Sequence, residues 1–302
     1  MYRLLAALAI AATFAAPTST DRGRPVILLL HGRGLLDRDT TAMRRLWLES
    51  LTRGARRIGH DVPLDAGDVR LVWYADVLDP RSSAGCDYAS TDPRAIRASG
   101  ADPDIRTVVS IAGGLFGAIT SLVADSAAES ELRGLAADAS FLTDTRKRCA
   151  SEQRLADAIA RARSEGRPVI LVAHSLGSIV AYDYLSSRGD SALVRRLITL
   201  GSPLGSSDLR QLLLGGESTD TLSLPKSVLG WINIRNDGDP FATSVTVGRD
   251  IWEPVSDAAA DPHDMVGYLG NSVTAGSVLG AWCEAFASNV PPHCAEFVHR
   301  SP

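Results

Sequence analysis

Between Arg167 and Leu185 the chain reads "RPVILVAHSLGSIVAYDYL", and its hydrophobic pattern changes period partway through. Val169, Ile170, Leu171 and Val172 form an aliphatic run behind Pro168, which reads as a strand buried on both faces. From Ser178 onward the apolar residues Ile179, Val180, Ala181, Tyr184 and Leu185 recur at helical spacing. The switch falls within Ala173-His174-Ser175-Leu176-Gly177. A strand-to-helix turn that tight strains the backbone of its central residue and leaves little room for side chains two positions to either side. Ala173 and Gly177 meet that demand. Ser175 is then expected to stand exposed at the carboxyl end of a strand and the amino end of a helix. The competing reading is a serine that merely caps the helix.

Further buried strands are expected in "PVILLLHGRG" (Pro25 to Gly34), "VRLVWYADVL" (Val69 to Leu78), "LITLGSPLG" (Leu197 to Gly205), "WINIRNDGDP" (Trp231 to Pro240) and around Ile251. A helix is expected from Thr41 to Ile58, with Leu46, Trp47, Leu51 and Ala55 on one face. Strands alternating with helices imply an α/β fold, a mostly parallel central sheet with helices on both faces. In such sheets ligands bind beyond the carboxyl ends of the strands, where the serine turn, "HGRG", "GSPLG" and "DGDP" all fall.

The connection from about Asp79 to Ala150 exceeds an ordinary crossover and reads as a helical insertion. Within it "TVVSIAGGLFGAITSLVA" (Thr107 to Ala124) carries no charge. Glycines and serines dilute its hydropathy, so it reads as a buried helix or lid over an apolar pocket rather than a membrane span. At 302 residues and 45% hydrophobic, residues 22–302 can bury one large α/β domain.

Residues 1–16 resemble a secretory signal peptide: Arg3, an apolar run from Leu4 to Phe14, then small residues. The expectation is an exported protein, with an uncleaved membrane anchor as the alternative. Export turns Cys86, Cys149, Cys283 and Cys294 into two disulfides. Proximity and shared segment favour Cys86 with Cys149 and Cys283 with Cys294, although four cysteines allow three pairings. A net charge of -4, with Lys147 and Lys226 the only lysines and acids interleaved among the arginines, gives no surface suited to nucleic acid. No metal-type grouping of Cys and His is visible, and no cofactor is expected.

A serine on such a turn resembles the nucleophile elbow of the α/β-hydrolase superfamily, with Ala173 where glycine is usual. The pieces "HGRG", "AHSLG", "TLGSPLG" and "DGDP" followed by His263, spread from about Arg24 to Tyr268, together resemble a lipase- or esterase-type member. The resemblance implies that the acid and then the histidine follow the serine in the chain. Of the 6 histidines, His263, His293 and His299 come late enough. His263, in "DPHDMVGYLG" with the spacing to Tyr268 and Leu269 of lipase-type relatives, is the implied base. His293 and His299 lie in a Pro- and Cys-bearing tail where exposure is expected. Asp237 and Asp239 both sit in turn chemistry; the resemblance favours Asp239, with Asp250 and Glu253 as outsiders.

Developing negative charge on a substrate oxygen calls for two backbone N–H donors. Leu176 supplies one, and the resemblance of "HGRG" to an oxyanion loop points to Arg33 for the second. The Arg33 side chain is left facing either solvent or an acidic substrate group. The implied activity is hydrolysis of carboxylic esters, small-molecule or lipid, the latter by peripheral contact with a lipid surface, without metal or organic cofactor. Acyl transfer to an alcohol, peptide-bond hydrolysis and a non-catalytic exported binding protein stand as the alternatives.

Overall fold

The computed structural model describes residues 23–32, 35, 38–89, 140–187, 194–206, 209, 222–236, 238–253, 261–286 and 289–298. The expected signal peptide, the apolar stretch from Thr107 to Ala124 and the bulk of the expected insertion lie outside them.

The expected strands form as β1 (Val26–Leu30), β2 (Val69–Val72), β3 (Val169–His174), β4 (Arg196–Leu200), β5 (Trp231–Asn236) and β6 (Arg249–Glu253). They pair in parallel in the order β2-β1-β3-β4-β5-β6. β1 and β3 are buried along their whole length, because parallel strands covered on both faces have no wet side. The helices are α1 (Thr40–Arg57), α2 (Ala75–Leu78), α3 (Thr145–Ser164), α4 (Leu176–Ser187), α5 (Met265–Gly270), α6 (Ser272–Glu284) and α7 (Ala295–Val298). Alternate strand residues point to opposite layers. Leu28, Leu30, Leu171 and Ala173 pack toward α3 and α4. Ile27, Leu29, Ile170 and Val172 pack toward α1, α5 and α6. The alternation of elements thus yields the expected α/β sheet with helices on both faces.

Two expectations are corrected. The strand at Val69 stops at Val72 and the chain turns into α2, because the Tyr74 N–H is taken by the ring nitrogen Nε2 of His31 at 3.1 Å. In α1 the inward face carries Met43, Trp47, Leu51 and Ala55, while Leu46 is 43% exposed; the helix is rotated from the expected face, and Asp39 caps its first turn through the N–H groups of Thr41 and Ala42.

At the amino ends of the central strands, buried Arg167 donates to the backbone carbonyls of Arg24, Pro25 and Gly67 and to the Asp68 carboxylate. A guanidinium with its donors so matched satisfies carbonyls that a buried chain entry would otherwise orphan. Disulfides join Cys86 to Cys149 and Cys283 to Cys294, as expected. Among the described residues no helix is long and apolar enough to cross a membrane.

Candidate active site

Ser175 has φ 52°, a left-handed conformation that costs a non-glycine residue of order 1–3 kcal/mol. The surroundings over-determine it. Its N–H donates to Leu200 O at 3.0 Å, continuing the β3–β4 ladder through the turn. Its carbonyl accepts from Ser178 N at 2.9 Å and from Ser178 Oγ, and Ser178 Oγ also meets Ser202 Oγ at 2.8 Å. A side chain at position 177 would drive a Cβ into the backbone oxygens of His31 and Leu30, so the helix can enter this close to β1 only on glycine. Ser175 itself is only 7% exposed, not open as expected. A Cβ on Gly32 would come within 2.9 Å of the Ser175 Cβ, so the loop after β1 lies directly against the serine turn and covers it.

The structure brings Ser175, His263 and Asp239 together in one line. His263 Nε2 is 2.8 Å from Ser175 Oγ, and His263 Nδ1 is 2.9 Å from both carboxylate oxygens of Asp239. With Nδ1–H donating to the carboxylate, Nε2 is free to accept the serine proton. Desolvation pushes the buried Asp239 carboxyl up, but hydrogen bonds from His263, Tyr268 Oη (2.7 Å) and Phe241 N (2.9 Å) outweigh it and hold the group ionised below the usual carboxylate range.

Three neighbours of this line were not singled out for such roles in the sequence. Tyr268 donates to Asp239 and accepts from Asn236 N at 2.9 Å; desolvation, then the Asp239 charge, pushes its own ionisation up, so it stays a donor. The "H....YL" spacing was its only signal. His174, inside the turn, places Nε2 2.7 Å from His263 O, fixing the loop that carries His263. Gly201, at φ 55°, faces Asp239 so closely that a Cβ there would lie 2.8 Å from Oδ2, which explains the glycine in "LGSP".

The remaining candidates separate cleanly. His31 is buried and stacks on Tyr74 at 4.1 Å; desolvation lowers its pKa to about 4 against the raising effect of the bond to Gly32 O. Nδ1 therefore carries the proton toward Gly32 O and Nε2 accepts from Tyr74, which makes His31 the shaper of the Gly32 loop. His60 packs on Phe297. His293 stacks on Trp282, whose indole donates to Pro25 O at the opposite end of the sheet; it is partly covered rather than exposed. Asp250 is engaged with Asn233, Arg235 and Ser244 on the other face of β6. Arg33, Asp237 and His299 lie outside the described residues. Leu176 opens α4, so its N–H has no acceptor within the helix. Among the described residues no group of side chains has the makings of a metal site.

A parallel sheet, a strained serine between β3 and α4, and an acid and a histidine after later strands define the α/β-hydrolase superfamily, and the chain has the fold of that class. Residues 152–234, from within α3 through the serine turn into β5, match the family model described as lecithin:cholesterol acyltransferase. No curated protein matches the chain.

Proposed function

We propose that the protein is a serine hydrolase of carboxylic esters, lipid esters foremost, working through an acyl-enzyme. The observation that carries this reading is the unbroken line Ser175 Oγ, His263 Nε2, His263 Nδ1, Asp239 carboxylate at 2.8 and 2.9 Å. Ser175 Oγ attacks the ester carbonyl carbon while its proton passes to His263 Nε2. Asp239 stabilises the imidazolium without taking the proton. The oxyanion meets the N–H groups of Leu176 and Arg33. On collapse the alcohol leaves with the proton from His263. Water then gives a proton to His263 and attacks the acyl carbon, and Ser175 is regenerated as the acid departs.

The match to an acyltransferase family favours a second reading of the same site, in which an alcohol replaces water as the acyl acceptor. A pH-stat assay over a chain-length series of esters, run with wild type and Ser175→Ala, tests the first reading. Activity confined to wild type sustains it. Equal activity in both proteins, or none in either together with no labelling of Ser175 by a fluorophosphonate, overturns it. Adding a lipid alcohol and counting ester against free acid then separates transfer from hydrolysis.

We further propose export, because two disulfides persist only where thiols are kept oxidised. Thiol titration of the denatured protein, isolated without reductant, is expected to find none free.

A further inference from the structure

Strands β5 and β6 carry two cross-strand pairs of an asparagine and an acid, one on each face of the sheet. Register sets Asn233 beside Asp250 and Asn236 beside Glu253. In the first pair the amide nitrogen faces the acid: Asn233 Nδ2 donates to Asp250 Oδ1 at 2.6 Å, and Arg235 adds a charge-assisted bond at 2.9 Å. That is how an ionised carboxylate is held. In the second pair the amide nitrogen is engaged elsewhere: Asn236 Nδ2 donates to Pro262 O at 3.2 Å, so Oδ1 is the atom left over on a residue whose cross-strand partner in register is Glu253. Asn236 Oδ1 and Glu253 Oε1 are both buried with no partner among the described residues. Glu253 is fully buried, its other oxygen accepting from Thr274 Oγ1 at 3.1 Å. Two orphan acceptors on residues paired in register each cost of order 1–3 kcal/mol, and one proton shared between them removes both costs.

We propose that Glu253 is a positioning residue that carries a proton and donates it to Asn236 Oδ1. The inference rests on the serine-hydrolase reading for its consequence. Asn236 is the junction. Its side chain holds Pro262, the residue before His263, and its backbone N–H holds the Tyr268 hydroxyl that donates to Asp239. A protonated Glu253 keeps the amide turned toward Pro262. An ionised Glu253 draws the amide nitrogen to itself, releases Pro262 and loosens the histidine loop. The groups facing Glu253 are Asn236 from β5, Tyr268 from α5 and Thr274 from α6; no described cation pairs with it. Desolvation, only partly offset by the bonds from Thr274, accordingly pushes its pKa up to about 8. The folded protein holds this proton where the unfolded chain releases it. Folded stability therefore falls as pH rises from the ordinary glutamate range toward about 8, and levels off above it.

The test compares wild type, Glu253→Gln and Glu253→Leu by pH-stat kcat and KM and by thermal melts, from about pH 5 to about pH 9.5. Glutamine mimics the neutral acid: its amide donates to Asn236 and its oxygen accepts from Thr274. Wild type is expected to lose kcat on the alkaline side. Glu253→Gln is expected to keep most of the neutral kcat and to lack that limb. Glu253→Leu is expected to lose roughly tenfold in kcat with little change in KM at every pH. The wild-type midpoint is expected to fall with pH relative to that of Glu253→Gln. An alkaline limb that persists in Glu253→Gln, or parallel melting curves, overturns the inference. The melts decide it even if no ester is turned over, and Glu253→Gln decides it if Glu253→Leu does not fold.

Discussion

Ser175 and its backbone contacts come from a single strand-turn-helix connection and its neighbours in the sheet, whereas Asp239 and His263 arrive from separate loops after β5 and β6. The serine half is rigid through chain geometry: a left-handed residue, a glycine two positions on, and backbone bonds to Leu200 and Ser178. The acid–base half is held by side chains reaching across elements. Tyr268 from α5 grips Asp239, and His174 from β3 grips the carbonyl of His263. A half held by backbone resists everything short of a change at its own residues. A half held by side chains can be weakened from outside Ser175, His263 and Asp239, in graded steps.

The largest effect expected is on the serine half. Ser175→Ala should lower kcat on the order of 10⁶-fold while leaving the melting temperature nearly unchanged, since alanine occupies the same turn with no lost backbone bond. Kinetics and a thermal melt on one preparation check both parts. Asp239→Asn should cost about 10⁴-fold, because the amide imposes the wrong tautomer on His263. Asp237→Asn should cost little, and a result the other way round would move the acid role to Asp237.

The same contrast governs what could be read from the chain. Strands β1 and β3 were legible because burial on both faces leaves an uninterrupted aliphatic run, β4 and β5 because apolar residues bounded by turn signals dominate them, and the serine turn was legible because its constraints lie within five neighbouring residues. The acid and the histidine needed a family resemblance to choose among candidates. Their supports were opaque. His174 meets a carbonyl 89 residues away and Tyr268 an N–H 32 residues away, and no local pattern records such a contact. The overlong reading of β2 fails for the same reason, since a histidine 43 residues earlier captures the N–H that would have extended it.

A smaller effect sharpens the comparison. Tyr268→Phe removes one hydrogen bond to the Asp239 carboxylate and should cost roughly 1 kcal/mol, or about fivefold, in kcat/KM. It also carries a pH signature. Asp239 is held ionised below the usual carboxylate range, so its contribution to folding is present above the unfolded carboxylate pKa and is lost as pH falls through the lower, folded value. Without the tyrosine hydroxyl that folded pKa rises toward normal. The acid limb of stability should then begin at a higher pH in Tyr268→Phe than in wild type, as read by thermal melts across the acid range. A melting profile with no displaced limb would assign Tyr268 to packing alone.

The smallest effect tests whether the two halves are joined. His174 belongs to the serine half by sequence, lying next to Ser175, yet its ring nitrogen meets the backbone of His263 at 2.7 Å and its ring packs 4.8 Å from that of His263. His174→Ala should therefore lower kcat by about as much as Tyr268→Phe. Each support holds a different part of the same base: His174 holds the main chain of His263, and Tyr268 holds the carboxylate that orients its ring. With one support removed, the other is left holding a less well placed imidazole and is worth less. A double-mutant cycle of the two should show coupling on the order of 0.5–1 kcal/mol, whereas two substitutions acting on independent halves would add. Strict additivity would mean that His174 serves only the elbow, and that the serine and acid–base halves meet at the reacting proton and nowhere else.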